Sequence, residues 1–293
     1  MNDQANNLRR MLHMASDGKR GTKVIAVVSG KGGVGKSNFS LNFALQLKNA
    51  GKKVILFDLD IGMANADILM GVSSKYTFVD MIEHELSIWD IIEEGPNNLS
   101  FIAGGTGLSS MFQLNPRKLS RFLQQLELIN GEFDYIIFDM GAGATKDRFN
   151  FILSATEVIV VTTPEPTSVT DAYAMLKYIQ LKDQNIPVSV LVNRAESNSE
   201  GKKTFENLKV VSGQFLQKDI SLLGIIPNDP IVLKAVKAQV PFSLYSPDSK
   251  PSKAIIKIAN DYIGENTFEE KKEPFQMFLN KFKKYFLDKS GGE

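Results

Sequence analysis

The sequence predicts an α/β fold with a mostly parallel central sheet and helices on both faces. Short apolar runs that stop at glycine or polar residues recur along the chain, as expected of buried parallel strands. Segments with helical spacing lie between these runs. Strands that alternate with helices favour a parallel sheet whose two faces are both covered.

The predicted elements follow one another from residue 24 to residue 264. The run VIAVVSG (24–30) predicts the first strand, and the helix after it is expected from Lys36 to Asn49, ending near Gly51. Further strands are predicted at KVILFDLD (53–60), DYIIFDM (134–140), EVIVVTT (157–163), PVSVLVN (187–193) and LLGIIP (222–227), with LSFIAG (99–104) a weaker candidate. Helical patterns occupy 116–130, 168–182, 200–217 and 250–264.

Changes of composition divide the chain into four segments. Residues 1–21 are polar, with Leu8, Met11, Leu12 and Ala15 at helical spacing. Residues 22–264 carry the α/β pattern, and residues 265–273, ENTFEEKKE, have the composition of a charged linker. Residues 274–293 form the last segment, and its sequence PFQMFLNKFKKYFLDK (274–289) predicts a separate amphipathic helix.

The overall composition excludes several classes of protein. The formal net charge is +1, so no global field attracts nucleic acid. The absence of cysteine excludes a disulfide framework and thiolate ligands for an iron–sulfur cluster. The polar N-terminus is unlike a signal peptide, and no apolar run is long enough to span a bilayer. We therefore expect a cytoplasmic protein.

A glycine-rich loop follows the first predicted strand and opens the first helix. In SGKGGVGKS, residues Gly30, Gly35, Lys36 and Ser37 satisfy the pattern G-x-x-x-x-G-K-[ST], and the strand–loop–helix setting is the one that this pattern requires. Backbone N–H groups of such a loop surround phosphate oxygens. Lys36 is expected to reach the β- and γ-phosphates of a nucleotide, and Ser37 to bind Mg²⁺. A ligand-free glycine turn is the weaker alternative.

Carboxylates lie at the carboxyl ends of two predicted strands, which is the edge where α/β sheets bind ligands. Asp139 ends the strand at 134–139 and is predicted as a second magnesium carboxylate, usually acting through water. Asp58 and Asp60 are two residues apart, so they share a face if the second strand continues that far. Each carboxylate has an alternative role as a helix N-cap.

The stretches KGGVGKS, DLDIGMANAD, DYIIFDMGAG and IIPND together resemble the MinD/ParA ATPases, the deviant Walker A branch of phosphate-loop proteins. The resemblance covers roughly residues 22–264. It implies that Lys31 reaches across a dimer interface to the partner's nucleotide, as an arginine finger does. It also implies that Asp60 positions or activates the attacking water and that Asp58 supports the magnesium shell.

The same resemblance assigns the switch segments and the nucleotide contacts. Switch I corresponds to residues 62–65 and switch II to residues 139–143. Asn193 matches the residue that reads adenine, although its alternative is a turn cap. The full set of residues expected to bind ATP or ADP is Gly30, Gly32, Gly33, Val34, Gly35, Lys36, Ser37, Asn38, Asn193, Arg194, Pro227, Asn228 and Asp229.

Two features favour one branch of this family. The N-terminal stretch DQANNLR (3–9) resembles an element of the flagellar-number regulators FlhG/FleN, and DMGAG resembles that branch more than the DSPAG of MinD. The branch implies a homodimer with ATP and, as partners, flagellar C-ring proteins and the FlhF GTPase, which Gln4, Leu8 and Arg9 would activate. The alternatives are a MinD-type division-site regulator, a ParA-type DNA-partition ATPase and a non-catalytic membrane scaffold. The partition alternative has weak support, because the basic residues available to bind DNA are few: Lys202, Lys203 and Lys209.

The C-terminal helix carries an aromatic stripe with flanking lysines. This composition is typical of a helix that lies on anionic lipid, and a dimer would present two such helices. We expect peripheral binding to the inner face of the cell membrane. The alternative is docking on the chain's own domain, and both hold if the helix docks in the monomer and is released in the dimer. The residues assigned to lipid are Phe275, Phe278, Leu279, Phe282, Lys283 and Phe286.

Overall fold

The computed structural model describes residues 21–60, 66–105, 116–141, 146–265 and 274–287. Within these ranges the chain forms one eight-stranded sheet. Its strands are β1 Lys23–Val28, β2 Val54–Leu59, β3 Glu93–Glu94, β4 Ser100–Ile102, β5 Tyr135–Met140, β6 Glu157–Thr162, β7 Val188–Ala195 and β8 Ser221–Pro227. The order across the sheet is β3-β4-β2-β5-β1-β6-β7-β8.

Every neighbouring pair in the sheet is parallel except β3 and β4. The carboxyl ends of β1, β2 and β5 therefore meet at one edge. The register places Asp58 of β2 directly beside Asp139 of β5, and Asp139 beside Val27 of β1. This alignment brings the two predicted carboxylates to the end of the strand that leads into the phosphate loop.

Helices cover both faces of the sheet, and alternate residues of β1 point to the two faces. Val24, Ala26 and Val28 belong to one apolar cluster, and Ile25 and Val27 to the other. The helices are α1 Lys36–Asn49, α2 Ala66–Met70, α3 Phe78–Glu83, α4 Ile88–Ile91, α5 Pro116–Glu127, α6 Lys146–Ser154, α7 Pro166–Lys182, α8 Asn198–Val211, α9 Pro230–Lys237, α10 Phe242–Tyr245, α11 Lys250–Glu265 and α12 Pro274–Leu287.

The predicted fold class is confirmed. All of the predicted strands form, including the weak candidate at 99–104, and α1 has the predicted bounds. The helix expected at 200–217 is α-helical only as far as Val211. A single π-helical turn, Ser212–Leu216, follows it. Sequence patterns did not predict the short elements between residues 66 and 94.

The C-terminal helix α12 packs against its own domain. Phe278, Leu279 and Phe282 are fully buried, and Phe275 and Phe286 are nearly so. The ring of Phe282 lies 4.7 Å from that of Phe151 on α6 and 5.4 Å from that of Phe122 on α5. The aromatic stripe therefore belongs to the same apolar cluster as one face of the sheet.

This packing is the docked alternative stated above, and it shields the five apolar side chains of the stripe from water. Two ion pairs accompany the packing: Lys281 Nζ lies 2.7 Å from Asp183 Oδ2, and Lys283 Nζ lies 3.7 Å from Glu127 Oε1. Lipid binding by this stripe stays a prediction, and it requires α12 to leave the domain. Among the described residues, no helix has the length and apolar character needed to cross a membrane.

Substitution of Phe282 by alanine is expected to lower the free energy of unfolding by about 3–5 kcal/mol, because a buried ring is lost and a cavity remains. Urea denaturation followed by circular dichroism measures this change. Met277→Ala on the same helix is the control, since Met277 is 53% exposed and its truncation should change stability by less than about 0.5 kcal/mol. Equal effects of the two substitutions would contradict the docked arrangement.

Candidate nucleotide-binding site

The loop of residues 30–37 joins β1 to α1 and requires glycine at two positions for space. A Cβ on Gly30 would lie 2.2 Å from the backbone oxygen of Asp171 on α7. A Cβ on Gly35 would lie 2.3 Å from Asn193 Nδ2, and Gly35 also has a φ of 89°, which L side chains rarely adopt. The glycine pattern thus lets the loop lie directly against α7 and β7.

Lys36 and Asp139 form a buried ion pair at the start of α1. Lys36 Nζ lies 2.8 Å from Asp139 Oδ1, and their side chains are only 5% and 1% exposed. The same carboxylate oxygen accepts a hydrogen bond from Ser40 Oγ at 3.1 Å. Ser37 Oγ lies 3.4 Å from the Lys36 ammonium. The structure therefore brings together Lys36, Ser37 and Asp139, the predicted phosphate and magnesium residues.

Asp58 lies beside this pair and has a different set of contacts. Its Oδ1 accepts the backbone N–H of Asp60 at 3.0 Å, and its Oδ2 accepts the backbone N–H of Ala66 at 3.0 Å. Asp60 follows the end of β2 and is half-buried. Switch I (residues 62–65) and residues 142–143 of switch II lie outside the described residues, as do Gln4, Leu8 and Arg9.

Lys31 contacts its own chain. Its Nζ lies 2.8 Å from Glu165 Oε2 and 3.1 Å from Thr167 Oγ1, both at the start of α7. The hydrogen bond and the charge of Lys31 lower the pKa of the Glu165 carboxyl. Sequence reasoning missed Glu165, because 134 residues separate it from Lys31 and no local pattern links them. The role of Lys31 toward a partner's nucleotide stays a prediction.

A cleft of about 930 Å³ opens beside the loop. One wall is apolar and includes Phe39, Ile226 and Val232, while polar groups come from the ends of β6, β7 and β8. An apolar wall with a few converging polar groups suits a flat heterocyclic base. Seven of the predicted nucleotide contacts line this cleft: Gly35, Asn38, Asn193, Arg194, Pro227, Asn228 and Asp229.

Asn193 links β7 to the phosphate loop. Its Nδ2 donates to the backbone oxygen of Val34 at 2.8 Å, and its Oδ1 accepts from the backbone N–H of Arg194 at 3.0 Å. Asn228 Nδ2 donates to Glu196 Oε1 at 2.7 Å, and Asp229 caps α9 by accepting the N–H of Ile231 at 2.9 Å. These contacts fix the cleft wall, and adenine recognition by Asn193 stays a prediction.

The donor set fits a magnesium ion that is bound together with phosphate. Ser37 and Asp139 offer hard oxygen ligands, which Mg²⁺ prefers. In the part of the chain that the structure describes, no group of three or more acidic, histidine or cysteine side chains could hold a metal. In nucleotide sites, Mg²⁺ usually keeps phosphate oxygens and water among its ligands.

Comparison with known proteins agrees with this geometry. The ParA family profile, described as NUBPL iron-transfer P-loop NTPase, matches residues 20–263. This chain has no cysteine and so has no thiolate that could bind iron, which the description of the profile mentions. Its site is of the nucleotide-binding kind that the family shares.

Individual relatives agree with the family match. The antiactivator FleN of Pseudomonas aeruginosa is 38% identical over 81% of this chain and 85% of its own length. The flagellum site-determining protein YlxH of Helicobacter pylori is 32% identical over 97% and 99%. The septum site-determining protein MinD of Pyrococcus horikoshii, solved with Mg-ADP, superposes with a TM-score of 0.69 at 27% identity, covering 84% of this chain and 98% of that one. The chain belongs to the ParA/MinD family of phosphate-loop NTPases.

Proposed function

We propose that this chain is an ATP-dependent dimerisation switch that hydrolyses ATP slowly and regulates the number or placement of flagella. The observation that carries the proposal is the phosphate loop with its buried Lys36–Asp139 pair, beside a cleft whose apolar wall suits a base. Two of the similar proteins named above carry flagellar names, and a third was solved with Mg-ADP. These names support the flagellar branch and the nucleotide.

The proposed reaction begins when Lys36 exchanges the Asp139 carboxylate for the β- and γ-phosphate oxygens of ATP. Ser37 and Asp139 would then hold Mg²⁺, which neutralises phosphate charge. Asp60 orients the attacking water, and the backbone N–H groups of the loop bind phosphate oxygens. The protein therefore accelerates hydrolysis mainly by positioning and by electrostatic stabilisation.

In the proposed dimer, two chains bind face to face over two nucleotides. Lys31 then leaves Glu165 of its own chain and contacts the partner's phosphates. Because the Lys31–Glu165 pair is exposed, breaking it costs little free energy. Release of α12 in the dimer would permit peripheral binding to anionic lipid on the inner face of the cell membrane.

Size-exclusion chromatography with light scattering tests this switch. The chain should be monomeric with ADP and dimeric with Mg²⁺ and a non-hydrolysable ATP analogue. Flotation with liposomes that contain anionic lipid should then recover protein only from the ATP-analogue sample. The same mass in both nucleotide states would refute the dimerisation switch.

Lys31→Ala is expected to weaken dimerisation and to lower the ATPase rate by about tenfold or more, because charge stabilisation from the partner is lost. The affinity of the monomer for ATP should change much less. Calorimetry measures the affinity, and light scattering measures the dimer. Lys202→Ala, a change of an exposed lysine on α8, is the matched control and should leave both unchanged. Full ATPase activity and dimerisation of the Lys31 variant would contradict its role in trans.

The N-terminal segment gives the flagellar branch a specific test, because its proposed partner is the FlhF GTPase; flagellar C-ring proteins are further proposed partners. A peptide of residues 1–20 should accelerate GTP hydrolysis by FlhF. Gln4→Ala should remove most of this effect because the amide would help to order the GTPase site, and Leu8→Ala should mainly weaken binding. A single-turnover GTPase assay decides the matter, and no stimulation by the unaltered peptide at saturation would count against this branch.

A MinD-type division regulator is the second candidate, since the similar solved structure is a MinD. A ParA-type partition ATPase would instead bind DNA in an ATP-dependent manner, with an affinity that falls steeply with salt. Electrophoretic mobility shifts at two salt concentrations distinguish the partition function from the others.

A further inference from the structure

We propose that Asp58 is a positioning residue that fixes the backbone at both ends of the segment 61–65, and that its role toward the reaction is to place Asp60. This inference assigns Asp58 a function different from that of a magnesium ligand. It rests on the proposed function only for the role of Asp60 in hydrolysis.

The contacts of Asp58 carry the inference. Its side chain is 1% exposed, and its two carboxylate oxygens each accept a backbone N–H at 3.0 Å. One donor belongs to Asp60, the last described residue before the segment, and the other to Ala66, the first residue of α2. One rigid group on β2 thus holds the backbone at two points that are six residues apart.

The neighbouring carboxylate shows a division of roles. Asp139 is register-paired with Asp58 on the adjacent strand, and it contacts the Lys36 ammonium and the Ser40 hydroxyl. Two carboxylates side by side in a buried site each need donors that stabilise negative charge. Lys36 and Ser40 of α1 donate to Asp139, and the peptide N–H groups of Asp60 and Ala66 donate to Asp58. These contacts connect Asp139 to the helix that follows the phosphate loop, and they connect Asp58 to the backbone on both sides of residues 61–65.

Asp58→Asn is a sharp probe because asparagine keeps the shape but replaces one acceptor oxygen by an N–H₂ donor. One of the two backbone N–H groups must then lose its partner. Ala66→Pro removes a bond from the opposite side, since proline has no N–H and is tolerated in the first turn of a helix. This second variant keeps the test possible if Asp58→Asn does not fold.

Amide hydrogen exchange in the full-length chain without nucleotide tests the contact. In Asp58→Asn, the amide of Asp60 or Ala66 should exchange about tenfold faster or more, because a charge-assisted hydrogen bond is lost. In Ala66→Pro, the amide of Asp60 should remain protected, since its acceptor is intact. The amide of Ile137 in β5 is the control and should not change in either variant. Unchanged exchange at both Asp60 and Ala66 in Asp58→Asn overturns the inference.

Kinetics then separates positioning from metal binding. A positioning role predicts that Asp58→Asn lowers kcat by about tenfold or more, while the Mg²⁺ concentration for half-maximal rate stays within about twofold. It also predicts that Asp58→Asn causes little further loss when Asp60 is already alanine, because the two residues act as a unit. A tenfold rise in the Mg²⁺ requirement overturns the inference. If the unaltered chain does not hydrolyse ATP, the proposed function fails, whereas the exchange result still decides the backbone contact.

Discussion

Lys36→Ala is expected to lower the affinity for ATP by about 100-fold or more, because the variant cannot form the proposed ion pair between Lys36 and the phosphates. Truncating one partner of a buried, hydrogen-bonded charge pair typically costs several kcal/mol of binding. The Lys36 side chain is 5% exposed and is held at the loop by Asp139. In the proposed site, its ammonium binds the β- and γ-phosphates of ATP. Isothermal titration calorimetry with Mg-ATP measures the loss. An affinity within about threefold of the unaltered chain would contradict the assignment of the phosphate loop.

The same substitution is also expected to destabilise the fold, since it leaves the Asp139 carboxylate buried without its cation. Breaking a buried pair in this way costs about 3–5 kcal/mol. The double variant Lys36→Ala/Asp139→Asn is the matched control. It removes the stranded charge, so most of the stability should return while ATP binding stays lost. This comparison separates a binding defect from an unfolded protein.

Asp60→Ala should keep ATP binding but lower the hydrolysis rate by about 100-fold or more, the range that follows loss of a positioned general base. Since the dimer reopens through hydrolysis in the proposed cycle, this variant should remain dimeric in ATP. Phosphate release and light scattering measure the two effects.

Asp219→Ala is the control for this prediction. Asp219 is exposed and precedes β8, at the end of the sheet opposite the loop, so its loss should leave both properties within about twofold. An Asp60 variant that hydrolyses ATP at the normal rate would refute the proposed role of Asp60. A variant that stays monomeric in ATP would instead refute the separation of binding from hydrolysis.

Much of the site followed from the sequence because it depends on the ends of parallel strands. The apolar runs predicted which residues are buried. The change from a strand pattern to a helix pattern at residues 30–37 predicted where the loop lies. Lys36 and Asp139 are 103 residues apart, yet both could be placed at one edge, because parallel neighbours align their carboxyl ends.

Contacts that depend on side chains of distant segments could not be predicted in the same way. Glu165 meets Lys31 because the start of α7 lies against the loop at Gly30, and neither residue carries a local signal for this contact. The aromatic stripe of α12 indicates that one face avoids water. Hydrophobicity alone does not distinguish a lipid surface from the protein's own core, so the packing against Phe151 had to come from the structure.

The docking of α12 also sets a population limit on any state in which the helix is free in water. Five apolar side chains of α12 are buried, and re-exposing each costs at least about 1.5 kcal/mol. The total of roughly 7 kcal/mol corresponds to a detached fraction on the order of one molecule in 10⁵. A helix detached this rarely cannot search for a bilayer on its own. In the proposed cycle, formation of the ATP-bound dimer must therefore weaken the docking of α12 by several kcal/mol before the stripe can reach lipid.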